Sequence, residues 1–276
     1  MNQRNFDLII TPKNTEKNYW HDLLKYKDLF IILTWRDLKV RYKQTVLGVL
    51  WSIIKPLISM IVFTVVFGKI ANLPTGNNAP YAIMVYAGML PWYFFSNSLT
   101  ECANSLVSNQ QLISKVYFPR IIIPASTFLT GLVDFLISFG ILIGLMIYYK
   151  FSPTINIIFI PVFLFIAFLT AFGAGLLLTA LNVKFRDFRY IIPFIIQFGL
   201  YASPVGFSST VVPEKWRTLY SLNPMVGVID GFRWCILGEK NLNLTSVIIS
   251  LVLTLTLLFL AIKYFRKVEK TFADHI

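Results

Sequence analysis

Few residues of this chain could do chemistry, and two of them sit where charge is costly. Asp134 falls about 13 residues into a long apolar stretch, near the centre of what would be a membrane span. A carboxylate at that depth must be paired, neutral or in contact with water. Lys55, beside Pro56, lies about nine residues or roughly 14 Å into another apolar stretch. It is one possible partner for Asp134. Its stem can also snorkel back to the head groups, or its cation can face a polar pathway. Asp134 is the only acid placed deep in a span, which argues against a proton relay of several carboxylates. The sequence has no serine nucleophile elbow, zinc motif, paired-carboxylate motif or glycine-rich phosphate loop. No catalytic residue and no metal ligand is therefore expected, and no ATP site of the G-x-x-x-x-G-K-[ST] kind. Cys102 and Cys235, and His21 and His275, form no cluster with metal-ligand spacing. The Asn243-Leu244-Thr245 sequon is short enough to arise by chance and carries no argument.

The elements that must position these residues are membrane helices. Mean hydropathy is +0.67, and 14% of the 276 residues are charged, which excludes an ordinary soluble domain. Six apolar stretches, roughly 46–67, 80–99, 121–149, 155–182, 190–207 and 244–262, are each long enough to cross about 30 Å of hydrocarbon. Of the 25 Lys+Arg, 18 lie in the N-terminal segment, the second and fourth connections and the C-terminal tail. Six lie in the other connections, and Lys55 lies within a span. That bias places both termini in the cytoplasm. It also accounts for the net charge of +12 through membrane edges and lipid head groups rather than nucleic acid. The first 45 residues lack an isolated apolar core with a cleavage site, so the first span is expected to act as an uncleaved insertion signal. The expected fold is all-α and polytopic. Residues 1–45 form a cytoplasmic segment, 46–264 a six-span transmembrane domain and 265–276 a cytoplasmic tail.

Within that frame, Trp20, Leu23, Leu24, Phe30, Ile31, Trp35, Leu38 and Tyr42 recur at three- and four-residue steps among lysines and arginines. The spacing predicts one or two amphipathic helices in the cytoplasmic interface. The second span carries Pro91 followed by Trp92, Tyr93, Phe94 and Phe95, four aromatics that cover every side of a helix. Residues 104–120 mix Leu112, Ile113, Val116, Tyr117 and Phe118 with polar residues, which predicts a short cytoplasmic helix ending at Pro119. An exposed apolar helix face there needs a partner. Gly140 and Gly144 form a GxxxG pair, a weak hint of close helix contact. Asn182, Lys184, Arg186, Asp187 and Arg189 read as a tight cytoplasmic turn after the fourth span. Residues 208–243 are too amphipathic for a free loop, and short helices dipping back into the outer leaflet fit better.

Five segments, in this order, carry a resemblance: WRDLKVRYKQTVLGVLWSIIKPL, YAGMLPWYFFSNSL, LISKVYFPR, LNVKFRDFRYII and SLNPM. They cover most of residues 35–235. On them the chain resembles the membrane permease of ABC-type exporters of lipid-linked polysaccharides, such as O-antigen and teichoic acid precursors. Lys55 departs from that pattern, which has an apolar or aromatic residue at its position. The resemblance implies a homodimer in the bacterial cytoplasmic membrane, paired with two separate ATPase subunits that bind ATP and Mg, so that no cofactor is held by this chain. It implies that the N-terminal helix is a cytoplasmic gate and ATPase contact, and that the loop after the second span forms a coupling helix, Asn104 to Pro119, with Leu112, Lys115, Phe118, Pro119 and Arg120 as the ATPase-coupling candidates. It implies a sugar channel at the dimer interface, for which Trp35, Tyr42, Trp92, Tyr93 and Phe95 are candidates because aromatic faces stack on sugar rings. Arg36, Arg41 and Lys55 are candidates for the diphosphate of the lipid carrier, with lipid anchoring the alternative for the two arginines. Three other readings compete. A permease for small drugs or lipids would share the coupling but need no wide aromatic channel. A membrane enzyme acting on lipid-linked sugar would need an acid, base or metal set. A secondary transporter would be expected to show an internal repeat.

Overall fold

The computed structural model describes residues 19–43, 46–74, 79–185, 187–239, 242–270 and 272. Their regular structure is entirely helical, with no strand among the described residues. The N-terminal part forms two helices, α1 (Tyr19–Lys25) and α2 (Lys27–Lys43), joined at Tyr26. Then come α3 (Val46–Phe63), continued as a π-helical segment Thr64–Ile70, and α4 (Tyr81–Ser108). A short α5 (Gln110–Lys115) leads into α6 (Ile122–Tyr148). A 3₁₀ turn at Ile155–Phe159 opens α7 (Ile160–Lys184), followed by α8 (Phe188–Ala202). Two short helices, α9 (Glu214–Tyr220) and α10 (Pro224–Leu237), precede α11 (Leu244–Glu269).

Four segments among the described residues are long and apolar enough to cross a membrane: Leu50–Ile70, Ile122–Tyr148, Ile155–Lys184 and Leu244–Glu269. The other two expected spans differ for separate reasons. In α4 the length is ample, but Ser96, Asn97, Ser98, Thr100, Glu101, Asn104 and Ser105 make its second half polar. That polarity is tolerable because α4 is the central helix, packed against α6, α7 and α10. Its Ala82, Ala87, Ser98, Cys102 and Ala103 are buried, and such small residues let neighbouring backbones approach. Interhelical hydrogen bonds complete the contact. Thr179 Oγ1 of α7 donates to the Cys102 carbonyl at 2.7 Å, and Asn182 Nδ2 donates to the Ala103 carbonyl at 3.0 Å. Asn182 was expected in a cytoplasmic turn. It is instead a buried residue of α7, because α7 runs on to Lys184. Asp187 flanks the start of α8 and is exposed, and Arg186 lies outside the described residues.

The other exception, α8, is only 15 residues long, or roughly 22 Å, and cannot cross the hydrocarbon as a helix. The chain turns irregularly through residues 203–207, which are mostly buried. The expectation of short helices before the last span agrees with α9 and α10, but the two differ. In α9 most side chains are exposed, whereas α10 is buried almost throughout and packs on α4, α7 and α11. Asn223 caps α10 by accepting from the Met225 N–H, with Pro224 at its first turn, and Gly238 ends it at φ 67°, a conformation suited to glycine. Asn243, the sequon residue, caps α11 through Ser246 N. The expected GxxxG contact does not form within the chain, since a Cβ at Gly140 or Gly144 would meet nothing within 4 Å.

Candidate functional site

The end of α2 meets the middle of α6 at Asp134. Arg41 Nη2 lies 2.6 Å from Asp134 Oδ2, and Tyr42 Oη donates to Oδ1 at 2.5 Å. Ser52 of α3 donates to Oδ1 at 3.3 Å. The other side of the Arg41 fork reaches Glu101 of α4, with Nη1 3.6 Å from Oε1. The Asp134 side chain is 10% exposed, and its carboxylate survives in the bundle because Arg41 pairs with one oxygen while Tyr42 and Ser52 donate to the other. Pairing was expected, but the partner is Arg41 rather than Lys55. Arginine suits the place because its planar fork can address Asp134 and Glu101 together, which a lysine ammonium on α3 could not do with the same geometry. Lys55 lies on the exposed side of α3 with Trp51, Ile58 and Val62, one helical stripe at four-, three- and four-residue steps.

The structure divides the remaining candidates among three places. On α2, Trp35 and Arg36 are exposed and share an open groove with Ile31, Ile32, Lys39 and Val40. Lys39 Nζ stands 5.2 Å from the Trp35 ring, and Arg36 Nη2 is 2.7 Å from Asp37 Oδ1. The buried positions Leu33 and Thr34 show that α2 is apolar on two sides, so a single amphipathic stripe is not how it packs. In α4, Trp92 is buried at 3% exposure, while Tyr93 and Phe95 are partly buried against the core. A Cβ at Gly199 of α8 would stand 2.5 Å from Trp92 Cη2, so Trp92 seats α8 on α4.

The loop after α4 also differs from expectation. Because α4 continues to Ser108, only α5 and four residues to Pro119 are left for the predicted short helix. Phe118 and Pro119 are buried, Phe118 in a cluster with Leu33, Ile113, Ile121 and Phe265. Leu112 is partly buried against the same cluster. Lys115, Val116 and Tyr117 are exposed, as are the polar Gln110, Gln111 and Ser114. Arg120 turns back to α11, its N–H donating to Glu269 Oε1 at 2.7 Å.

At the other end of the bundle is a centre that sequence reasoning missed. Arg233 of α10 was counted among loop charges, yet it is 1% exposed. Its Nη1 donates to the Phe207 carbonyl at 2.6 Å, Nη2 to Val205 at 2.8 Å and Nε to Met84 at 3.4 Å. Tyr81 Oη donates to the Gly206 carbonyl at 2.6 Å. Irregular backbone at membrane depth needs its carbonyls satisfied by protein, and these groups do that after the short α8. The available signal was an arginine three residues after Asp230 in an otherwise apolar run, MVGVIDGFRWCIL. Glu101 and Ser52 were also missed, being ordinary-looking polar residues without a pattern of their own.

A sequence model of the ABC-2 type transporter family matches residues 28–237. The chain is 30% identical over 249 residues to the O-antigen export system permease protein RfbA of Klebsiella pneumoniae, covering 90% of this chain and 94% of that one. It is 31% identical over 260 residues to the O-antigen export system permease protein RfbA of Myxococcus xanthus, covering 92% and 98%. The polysialic acid transport protein KpsM of Escherichia coli is 21% identical over 243 residues, covering 85% and 91%. A match across the helices that carry both buried charge centres, at full-length coverage, makes this chain a member of the ABC-2 type transporter membrane family.

Proposed function

We propose that this chain is the permease subunit of an ATP-driven exporter of a lipid-linked, O-antigen-like polysaccharide. Two copies pair in the bacterial cytoplasmic membrane with two ATPase subunits, which hold ATP and Mg. Each copy crosses six times, with α4 and the combined passage of α8 and the mostly buried 203–207 turn completing the set and both termini in the cytoplasm. The observation that carries the reading is an aromatic wall that one chain leaves uncovered. Tyr190, Phe194, Phe198 and Tyr201 of α8 are at least 60% exposed. Phe194 and Phe198 lie with ring centroids 4.3 Å apart, and Tyr201 stacks on Phe63 of α3 at 6.2 Å. Trp51 of α3 is also 60% exposed. Two copies meeting along α3 and α8 would enclose rings whose apolar faces suit sugar C–H surfaces. Trp92, Tyr93 and Phe95 act from behind, by holding α8 in place.

At the cytoplasmic mouth, Arg36, Lys39 and Lys55 keep exposed cations for a lipid-carried diphosphate, with Trp35 beside Lys39. Arg41 and Tyr42 serve the gate helix through Asp134. The exposed Ile31, Ile32, Trp35 and Val40 support a reading in which the outer side of α2 lies in the membrane interface. Lys115, Val116 and Tyr117 face the ATPase. The test is surface glycan measured beside the yield of the permease–ATPase complex, for leucine substitutions at Phe194, Phe198 and Tyr201. Impaired export with normal yield supports the wall, and normal export in all three stable variants refutes it.

A further inference from the structure

We infer that Glu269, at the cytoplasmic end of α11, is a positioning residue that ties the loop after α5 to the N-terminal helices. The inference rests on the reading above in one respect, that this loop faces the ATPase. Glu269 accepts from two directions. The Arg120 N–H donates to its Oε1 at 2.7 Å, and Arg120 Nη1 donates to its backbone carbonyl. The Tyr19 hydroxyl of α1 is buried close enough to the same carboxylate for its charge to act on it. Burial pushes the Tyr19 hydroxyl up, and the charge of Glu269 adds to that, so the phenol keeps its proton and remains a donor.

The surroundings hold this knot together. Arg266 lies over the Tyr19 ring at 4.7 Å, and Arg120 lies 6.0 Å from the Phe272 ring. Tyr19, Leu33, Ile113, Phe118, Ile121, Phe265 and Phe272 form one buried cluster around them. A second link runs parallel, since Tyr26 Oη donates to the Tyr117 carbonyl at 3.2 Å. Only two residues, Phe118 and Pro119, separate Tyr117 from Arg120, and both are buried. A push on the exposed Lys115–Tyr117 segment therefore cannot be absorbed locally. It must either break the Glu269 bonds or carry α1, and with it α2, along.

The experiment measures hydrogen exchange of residues 19–43 in the assembled permease–ATPase complex, with ADP and with ATP plus vanadate. The wild-type chain should show a nucleotide-dependent difference in α1–α2. Glu269→Ala should abolish that difference while the complex stays assembled, and Glu269→Gln, which keeps an acceptor oxygen, should retain most of it. A Glu269→Ala complex with the wild-type difference overturns the inference. So does exchange raised equally in both nucleotide states, which is what mere local loosening gives. If Glu269→Ala does not assemble, Tyr19→Phe decides. It keeps the ring and removes the hydroxyl, so a smaller difference supports the link and a full difference refutes it. The readout needs no glycan, so a wrong substrate leaves it standing. A wild-type chain that assembles with no ATPase overturns the underlying reading as well.

Discussion

Arg233 and Asp134 each bury a charge in an apolar bundle, but their partners are of different kinds. Arg233 donates to backbone carbonyls of the 203–207 turn and of α4. Those acceptors are fixed by the chain path. Asp134 is held by side chains of α2 and α3, Arg41 among them, and Arg41 also reaches the half-exposed Glu101. Arg41 can therefore exchange one acid for another as α2 moves. The difference teaches where the bundle is welded and where it is latched. The end near α10 keeps irregular backbone satisfied. The end near α2 joins a peripheral helix to the core by contacts that can open.

The largest expected effect breaks the weld. Arg233→Met removes the donor from the Val205 and Phe207 carbonyls and should cost about 3–5 kcal/mol, read as loss of purified protein and of thermal stability. Arg233→Lys should rescue little, since one ammonium cannot reproduce the fork. Opening the latch should be milder. Asp134→Ala should cost about 1–3 kcal/mol, because the freed Arg41 is 30% exposed and can reach water or Glu101. The protein should still be made, with ATP hydrolysis no longer matched to export. Gly199→Ala tests the seat between the two centres. Its methyl would enter the Trp92 ring, costing about 1–3 kcal/mol in melting experiments. The smallest stability effect belongs to the uncovered wall. Phe198→Leu should change stability by less than about 0.5 kcal/mol while lowering export, the opposite pattern to Gly199→Ala.

Much of this arrangement was legible in the sequence because hydropathy and charge bias are one-dimensional signals. The cost of Asp134 in hydrocarbon required a partner, and a partner is there. Its identity was not legible, since Arg41 is 93 residues away and lies on a helix that reads as interfacial. Arg233 was misread for a related reason. A count by connection treats any arginine between two spans as a loop charge, and α10 folds back among the spans. Returning Arg233 to the interior leaves five rather than six basic residues in the other connections, which strengthens the orientation bias. The aromatics show the limit of local pattern. Trp92–Phe95 stand out as a run, yet they lie on the central helix and are largely packed, while Tyr190, Phe194, Phe198 and Tyr201 are spread at helical spacing along the short α8 and remain uncovered.

The central claim, that Arg41 and Asp134 form a latch, is tested most directly by exchanging their charges. Arg41→Asp, Asp134→Arg and the double exchange would be compared by glycan exported per ATP hydrolysed in the assembled complex. The latch predicts that each single variant is uncoupled, since each sets like charges against each other, and that the double exchange recovers a large part of the coupling. A double exchange no better than either single variant would contradict it.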